Sequence, residues 1–305
     1  MSYLFPATVE QAVEMLTAQA GRARVIAGGT DLVPLIRDGK VDADVLVDIT
    51  RIAGLGEIEI GGEWITVGAA VTFATLRDSA FIRGHVRALA LAAASVGAAP
   101  IQAMATWLGN IAQAMPAADG GVIAVALDAQ ARVVDSGGAR WVAVETLYKD
   151  ARTSALDPTR QLISHLRFPA PRAGWACAWR RVGRRPSLTL PILNCAATLR
   201  LASPDAAIEA ATLALGPVAA LPFRARAVEA FLIGRAPEDA VIEQAAALAQ
   251  AECHPRTNPL RASGEYRSAL IPKLVRDALH EAREEAKASF GRPGPDTDTG
   301  LATFS

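Results

Sequence analysis

The chain has 305 residues, of which 51% are hydrophobic and 20% charged, and its 31 acidic residues balance 31 basic ones. A chain of this length forms two domains, or one domain with lobes. Formal neutrality excludes the basic footprint typical of nucleic-acid-binding proteins. The longest apolar run, residues 88–99, is mostly alanine and too short to span a membrane. With no recognisable signal peptide, we expect a cytoplasmic protein without a membrane span.

The first fifty residues have the pattern of a small α/β lobe. Residues 8–11 form a capping box, and apolar residues at helical spacing follow it as far as Gly21. Residues 24–27 and 44–49 are typical of buried strands. Strand, helix and strand in this order predict an α/β lobe.

A turn of two glycines, Gly28 and Gly29, follows the first of these strands. Thr30 and Asp31 come next as a capping pair, before one helical turn over residues 32–37. Adjacent glycines let backbone amides point into one concavity and let a ligand approach closely. The helix N-terminus behind them adds partial positive charge. The arrangement suits a diphosphate, although a strand-to-helix turn without a ligand has the same pattern.

From residue 57 hydrophobic residues alternate with polar ones every two residues, as is typical of β-strands. Thr72 caps a short helix, and residues 81–98 predict a single alanine-rich helix. A strand over residues 162–168 ends at Pro169-Ala170-Pro171, where we place the domain boundary. Two hairpins are predicted in this region, from residues 57–60 with 63–67 and from residues 128–135 with 140–144.

Beyond the boundary, strands come first and helices afterwards. Ser263 caps the last helix, and residues 291–305, rich in Gly, Pro, Asp and Thr, predict a disordered tail. The predicted strands are residues 176–182, 193–201 and 207–215, and the predicted helices are residues 223–232, 238–251 and 265–286.

A second unusual segment, residues 106–119, is rich in small residues, contains Pro116 and ends in Asp119. Its composition does not suit a packed helix or an alternating strand. It indicates a backbone-lined path past a flat, polar ligand.

Together the two segments resemble those of the FAD-binding subunits of the molybdenum hydroxylases, a family that includes carbon monoxide dehydrogenase medium subunits and the flavin domain of xanthine dehydrogenase. The family pattern Ala-Gly-Gly-Thr-Asp-Leu matches residues 27–32. Its pattern Thr-Ile-Gly-Gly-Asn, followed by Pro-Ala-Ala-Asp, is matched in part by residues 106–110 and fully by residues 116–119. Residues 216–225 and 262–267 resemble the family's C-terminal domain, so the resemblance covers most of the chain.

The resemblance implies an α+β fold of two domains. Residues 1–172 would form a two-lobed FAD-binding domain of the vanillyl-alcohol-oxidase (PCMH) type, with lobes at about 1–55 and 56–172. Residues 173–290 would form an α+β domain like the C-terminal domain of the carbon monoxide dehydrogenase flavoprotein.

The resemblance also implies FAD contacts. Residues 26–32 would wrap the diphosphate and ribityl chain, and Asp119 would accept hydrogen bonds from a ribose or ribityl hydroxyl. Ile163 would lie by the isoalloxazine ring, and Arg180 or Arg181 would stabilise negative charge on the reduced flavin. The full predicted set is Ile26, Ala27, Gly28, Gly29, Thr30, Asp31, Leu32, Val96, Thr106, Gly109, Asn110, Ala114, Pro116, Asp119, Ile163, Arg180 and Arg181.

Three positions depart from the family pattern. Leu108 replaces a glycine, Gln102 stands where an arginine is usual, and Thr189 replaces a frequent aspartate. If Leu108 required a positive φ, the backbone clamp around the flavin would have to be rebuilt locally.

The chain shows no acid–base or metal machinery of its own in sequence. Its three cysteines are far apart and form no iron–sulfur motif, and its four histidines lack metal-ligand spacing. The resemblance therefore implies an FAD-binding electron-transfer subunit whose partners are a large molybdopterin subunit and a small subunit with two [2Fe–2S] clusters. The assembly could be a dimer of such heterotrimers.

Two alternatives belong to other classes. One is a stand-alone flavin oxidoreductase, in which substrate meets the flavin directly. The other is a scaffold subunit that has lost FAD and only bridges its partners, a reading that Leu108 and Gln102 make conceivable.

Overall fold

Three β-sheets of three, six and four strands organise the computed structural model, which describes residues 1–185, 187–291 and the backbone of 302–304. A two-stranded ribbon lies beside them. Within these residues, no helix has the length and apolarity needed to cross a membrane.

The N-terminal lobe is a parallel sheet in the order β1-β3-β2, with two helices in its connections. The Thr8 hydroxyl caps α1 by accepting from the Gln11 amide at 3.1 Å, as the capping box predicts. The elements are β1 (Ser2–Leu4), α1 (Val9–Ala18), β2 (Ala23–Ile26), α2 (Leu32–Arg37) and β3 (Val45–Asp48).

The second lobe is an antiparallel sheet in the order β4-β5-β10-β6-β7, with helices packed beside it and a last strand, Ala302–Phe304 (β15), paired with β4 at its edge. Both predicted hairpins are present, and Gly62 and Gly138 adopt positive φ in their turns. The elements are β4 (Ile58–Gly61), β5 (Trp64–Gly68), α3 (Phe73–Asp78), α4 (Ala80–His85), α5 (Arg87–Ala94), α6 (Ala99–Gln102), α7 (Trp107–Ala112), α8 (Asp119–Ala126), β6 (Gln130–Asp135), β7 (Gly138–Ala143), β8 (Tyr148–Asp150), β9 (Thr153–Ser154) and β10 (Leu162–Pro169).

The single helix predicted over residues 81–98 is wrong, because the structure divides this stretch into α4 and α5 and a following loop. Val86 leaves helical geometry (φ −136°, ψ 51°) and buries its side chain, so both short helices turn apolar faces to the core. Gly97 then adopts φ +53°, and Pro100 lies in the first turn of α6.

The C-terminal region is an antiparallel meander, β11-β12-β13-β14, covered on one face by helices. The helix predicted over residues 223–232 begins only at Arg226, because Phe223–Arg224 pairs with β13. The elements are β11 (Trp175–Val182), β12 (Leu193–Leu201), β13 (Ile208–Gly216), β14 (Phe223–Arg224), α9 (Arg226–Leu232), α10 (Asp239–Glu252), α11 (Gly264–Ser289) and β15 (Ala302–Phe304).

The four-stranded sheet contributes to two hydrophobic cores. Ala176 and Ala178 pack toward α9–α11, whereas Cys177 and Trp179 of the same strand pack toward the second lobe. This division follows from the two-residue period of a strand. In α8, which lies against the second face, all eight residues are buried, as expected for a helix that after Asp119 is apolar on every side.

Most of the predicted disordered tail, residues 291–305, lies outside the described residues. Of the part that is described, Ala302–Phe304 pairs with β4 at the edge of the six-stranded sheet.

Candidate functional site

A cavity of about 680 Å³ opens between the two N-terminal lobes, within the size range of small-molecule sites. Both unusual segments of the sequence reach it. The predicted residues that line it are Ile26, Ala27, Gly28, Gly29, Thr30, Asp31, Leu32, Val96, Thr106, Gly109, Asn110 and Ile163.

The glycine turn forms a cradle of backbone amides on one wall of the cavity. The N–H groups of residues 28–32 donate to no acceptor within the described part of the chain. The next amide, that of Val33, bonds the Gly29 carbonyl at 3.0 Å and starts α2. Asp31 stands at the N-cap position without a side-chain capping bond. Successive unbonded amides facing one concavity are the chemistry that an anion such as a diphosphate requires.

The backbone geometry requires glycine at both position 28 and position 29. A Cβ on Gly28 would lie 2.8 Å from the carbonyl carbon of Met104 and 3.0 Å from Cα of Ala105. Gly29 has φ +66°, and a Cβ there would meet the Ile26 and Val33 side chains at 3.0 and 3.3 Å. The first glycine thus permits contact with the second segment, and the second permits the turn.

The second segment begins as a helix, which corrects the expectation drawn from its composition. The Thr106 hydroxyl accepts from the Gly109 amide at 3.1 Å and caps α7. Leu108 lies inside α7, is absent from the residues with positive φ and is 2% exposed. The clamp therefore needs no rebuilding at Leu108, because the residue keeps helical geometry and packs in the core where α7 borders the cavity.

Gln102 supports the cavity from behind. Its amide nitrogen donates at 2.9 Å to the carbonyls of both Ala94 and Val96, and its oxygen accepts from Arg77 at 2.5 Å. The side chain is buried, and both its nitrogen and its oxygen have hydrogen-bond partners. Gln102 thereby fixes the loop that brings Val96 to the cavity wall.

Asn110 lies between the cavity and α8. Its Oδ1 is buried with no hydrogen-bond partner among the described residues, beside Gly120, where a Cβ would lie 2.5 Å away. The Trp107 indole donates to the Gly120 carbonyl at 2.8 Å. The glycine therefore permits the close contact between α7 and α8 that places Asn110.

Asp119 and Arg181 do not line the cavity. They form a buried ion pair, with both carboxylate oxygens 3.2 Å from Arg181 Nε, and Asn194 donates to Asp119 at 2.7 Å. Burial raises the pKa of Asp119 to about 6, although Arg181 and Asn194 oppose the shift. This cluster joins the start of α8 to β11 and β12.

The other predicted residues outside the cavity wall have structural contacts. Arg180 pairs with Glu281 of α11. Ala114 has φ +52°, and its carbonyl accepts from the Arg152 amide at 2.9 Å. The Pro116 carbonyl lies close to Gly216, where a Cβ would be 2.7 Å away.

Sequence reasoning missed part of the wall. The β8–β9 ribbon and the loop after it supply polar groups, and no local pattern marks strands of two or three residues. Leu190 reaches the cavity from the loop between β11 and β12. The missed wall residues with polar side chains are Arg24, Gln113, Arg152, Thr153, Ser154 and Gln161.

The described residues offer little catalytic chemistry of their own. No group of three or more His, Cys, Asp or Glu side chains there can hold a metal ion. The three cysteines are buried, and burial raises the pKa of the Cys253 thiol to about 12, so it stays protonated. A cradle of amides beside apolar and polar wall residues fits FAD, whose diphosphate is anionic and whose flat ring has hydrophobic faces and a polar edge.

Two family models match the chain. The model of the FAD binding domain in molybdopterin dehydrogenase matches residues 1–171, and that of the carbon monoxide dehydrogenase flavoprotein C-terminal domain matches residues 178–282.

Individual relatives extend over nearly the whole chain. The carbon monoxide dehydrogenase medium chain of Afipia carboxidovorans is 28% identical over 93% of this chain and 97% of its own length. The xanthine dehydrogenase FAD-binding subunit of Escherichia coli O157:H7 is 26% identical over 92% and 95%. Among solved structures, carbon monoxide dehydrogenase from Hydrogenophaga pseudoflava superimposes with a TM-score of 0.86 at 26% identity, covering 94% of this chain and 98% of that one.

Proposed function

Since this chain belongs to the molybdenum hydroxylase family as an FAD-binding medium subunit, we propose that it relays electrons within a larger oxidoreductase. The electrons would come from [2Fe–2S] clusters of a partner subunit and leave to an external acceptor. Bound FAD supplies the redox chemistry, since it takes up and releases electrons. The chain's own residues bind and orient that cofactor.

The observation that carries the proposal is the cavity with its unbonded amides. Residues 28–32 would receive the diphosphate, and Thr106, Gly109 and Asn110 would form the second clamp. Val96 and Ile163 would contact the ring. The remaining predicted residues, Ala114, Pro116, Asp119, Arg180 and Arg181, would support the pocket from outside its wall.

We assign the rest of the reaction to partner chains. The described residues hold no cluster of metal ligands, so neither a molybdenum centre nor an iron–sulfur cluster is assigned to them. A large molybdopterin subunit and a small [2Fe–2S] subunit would complete the enzyme, and a dimer of such heterotrimers and a cytoplasmic location stay predictions. Substrate would be chosen on the large subunit.

The absorption spectrum of the purified chain, alone and co-expressed with its genomic neighbours, tests this function. Flavin bands and FAD released on heating would support it, provided that dithionite-reduced flavin is reoxidised by an added acceptor. Substrate oxidation by the isolated chain would instead identify a stand-alone oxidoreductase. A colourless chain that still co-purifies with molybdenum and iron–sulfur partners would identify a scaffold.

A further inference from the structure

One side chain of the C-terminal region reaches the flavin pocket. Among the described residues that line the pocket, only Leu190 comes from beyond residue 172. It follows β11 in a loop and is 43% exposed at the edge of the pocket. Its position therefore depends on what holds this loop against the N-terminal lobes.

Arg185 donates to the Ser187 and Leu188 carbonyls within the loop, and two further hydrogen bonds tie the loop to its surroundings next to Leu190. The Leu188 amide donates to the Gly97 carbonyl at 2.9 Å, beside the Val96 position of the pocket wall. One residue further on, the Thr189 carbonyl accepts from Nη2 of Arg181. Leu188 has φ +52°, an uncommon conformation for a non-glycine residue that persists where neighbouring contacts fix it.

Arg181 joins this loop to the start of α8. Its Nε faces the Asp119 carboxylate at 3.2 Å, while Nη2 of the same guanidinium reaches Thr189. The Arg181 and Asp119 side chains are only 9% and 6% exposed. The neighbouring Gly183 leaves room for this arrangement, since a Cβ there would lie 2.7 Å from Arg181 Nη1.

We propose that Arg181 is a positioning residue for the flavin pocket, which holds Leu190 in the wall by linking Asp119 to the carbonyl of Thr189. The proposal rests on the proposed function, because it requires FAD to occupy this pocket with its ring toward Val96 and Leu190. Affinity for the ring part of FAD then depends on an ion pair that lies outside the pocket.

The shape of arginine explains why this residue type stands there. A guanidinium presents donors in a rigid planar fork and can serve a carboxylate and a carbonyl in two directions at once. A lysine ammonium is a point charge that would stay with Asp119 and leave the Thr189 carbonyl without its donor. Arg181→Lys should therefore keep the ion pair and lose the hold on the loop.

The test compares complexes carrying Arg181→Met, Arg181→Lys, Leu190→Ala and the double change Arg181→Met with Leu190→Ala. FAD and ADP affinities of the deflavinated complexes are measured, since ADP has the diphosphate and adenosine without the ring. Arg200→Ala is the control, because Arg200 forms an exposed ion pair with Glu209 in the same sheet.

Arg181→Met and Leu190→Ala should each weaken FAD binding by roughly tenfold, the low end of the range for a leucine contact because Leu190 is partly exposed, and leave ADP binding unchanged. The double variant should bind FAD no more weakly than Arg181→Met alone, because both act through one contact. Arg181→Lys should weaken FAD binding about as much as Leu190→Ala, because it loses the donor to the Thr189 carbonyl, and both variants should shift the flavin absorption bands in the same direction as each other. The control should match wild type.

Wild-type FAD affinity in Arg181→Met, with only a lower melting temperature, would overturn the proposal, as would equal weakening of FAD and ADP. If Arg181→Met does not fold, Arg181→Lys and Leu190→Ala decide, and wild-type affinity in either contradicts the proposal. Gly29→Val distinguishes a failure of the pocket assignment from a failure of the positioning role of Arg181. Retention of FAD in Gly29→Val would show that the pocket itself is misassigned, whereas its loss together with normal binding in the Arg181 variants would refute only the positioning role.

Discussion

Gly28 and Met104 lie in backbone contact, with no space between them for a side chain. This contact joins the turn after β2 to the segment that precedes α7, and each of these segments supplies one wall of the pocket. The two motifs are 75 or more residues apart in sequence for most of their lengths, yet they form one structural unit.

Gly28→Ala tests that contact. A methyl group there must displace the Met104 carbonyl, so we expect a loss of about 1–3 kcal/mol in the free energy of unfolding and a strong fall in FAD content. Urea unfolding and flavin absorbance of the purified protein measure both. Gly56→Ala is the matched control, since a Cβ there meets nothing within 4 Å. Normal flavin content in Gly28→Ala would contradict the close approach of the two walls.

Gly29→Val should abolish FAD binding. A β-branched residue resists the φ of +66°, and its side chain would press on Ile26 and Val33 next to the amide cradle. Gly39 has nearly the same φ, +68°, but open space around its Cβ position. Gly39→Val therefore carries the same backbone strain away from the cradle and should retain FAD. If both variants lost flavin equally, backbone strain at positive φ would explain the effect without any contact near the cradle. Flavin released on heating, per mole of protein, measures the difference.

Gln102→Ala should loosen the loop that carries Val96. The change removes three hydrogen bonds and leaves the part-buried carbonyls of Ala94 and Val96 without their donor, at about 1–3 kcal/mol in the free energy of unfolding. Gln102→Arg, which restores the residue usual in the family, should also destabilise, because its charge would face Arg77. Thermal unfolding and flavin fluorescence report both effects. Gln250→Ala, which removes one bond to Ser268 far along the chain, should cost less. A stabilised Gln102→Arg would show that Arg77 moves away.

Asp119 should make stability depend on pH in an unusual direction. Its folded pKa of about 6 exceeds the ordinary value of 3.8, so the folded chain keeps a proton that the unfolded chain releases. Stability from this group is therefore fully present below about pH 4, falls as the pH rises to about 6 and is then constant. The change amounts to about 3 kcal/mol.

Comparison with Asp119→Asn isolates this contribution from those of other groups. The difference in unfolding free energy between wild type and Asp119→Asn should change between pH 4 and 6.5 in the direction just given. A difference that does not vary with pH would mean that Arg181 and Asn194 keep the carboxylate ionised throughout.

The sequence predicts well those elements whose signals are local. The capping box at Thr8 and the glycines of the two hairpin turns determine structure within a few residues, and these elements are present. The cradle of residues 25–32 is also local, because its strand, glycine turn and short helix are contiguous. All residues predicted from it line the pocket.

The rest depends on contacts between distant segments. Periodicity does not reveal that Val86 would be drawn into the core and divide a helix, nor that Leu108 would be buried inside α7 where it borders the cavity. Asp119 and Arg181 are polar residues in a suitable motif, but their mutual attraction across 62 positions of sequence decides where they lie. Tertiary packing, and not local sequence, determines where these side chains lie.

The four-stranded sheet, with one face in each core, has a consequence for how the chain can be divided. A fragment ending at residue 172 would leave α8, apolar on every side after Asp119, exposed to water where β12 and β13 now cover it. The two family models meet between residues 171 and 178, yet because α8 packs against β12 and β13 we expect that this boundary does not separate two independent folding units. A gene split at this point would yield two insoluble halves, whereas the intact chain should melt in a single cooperative transition.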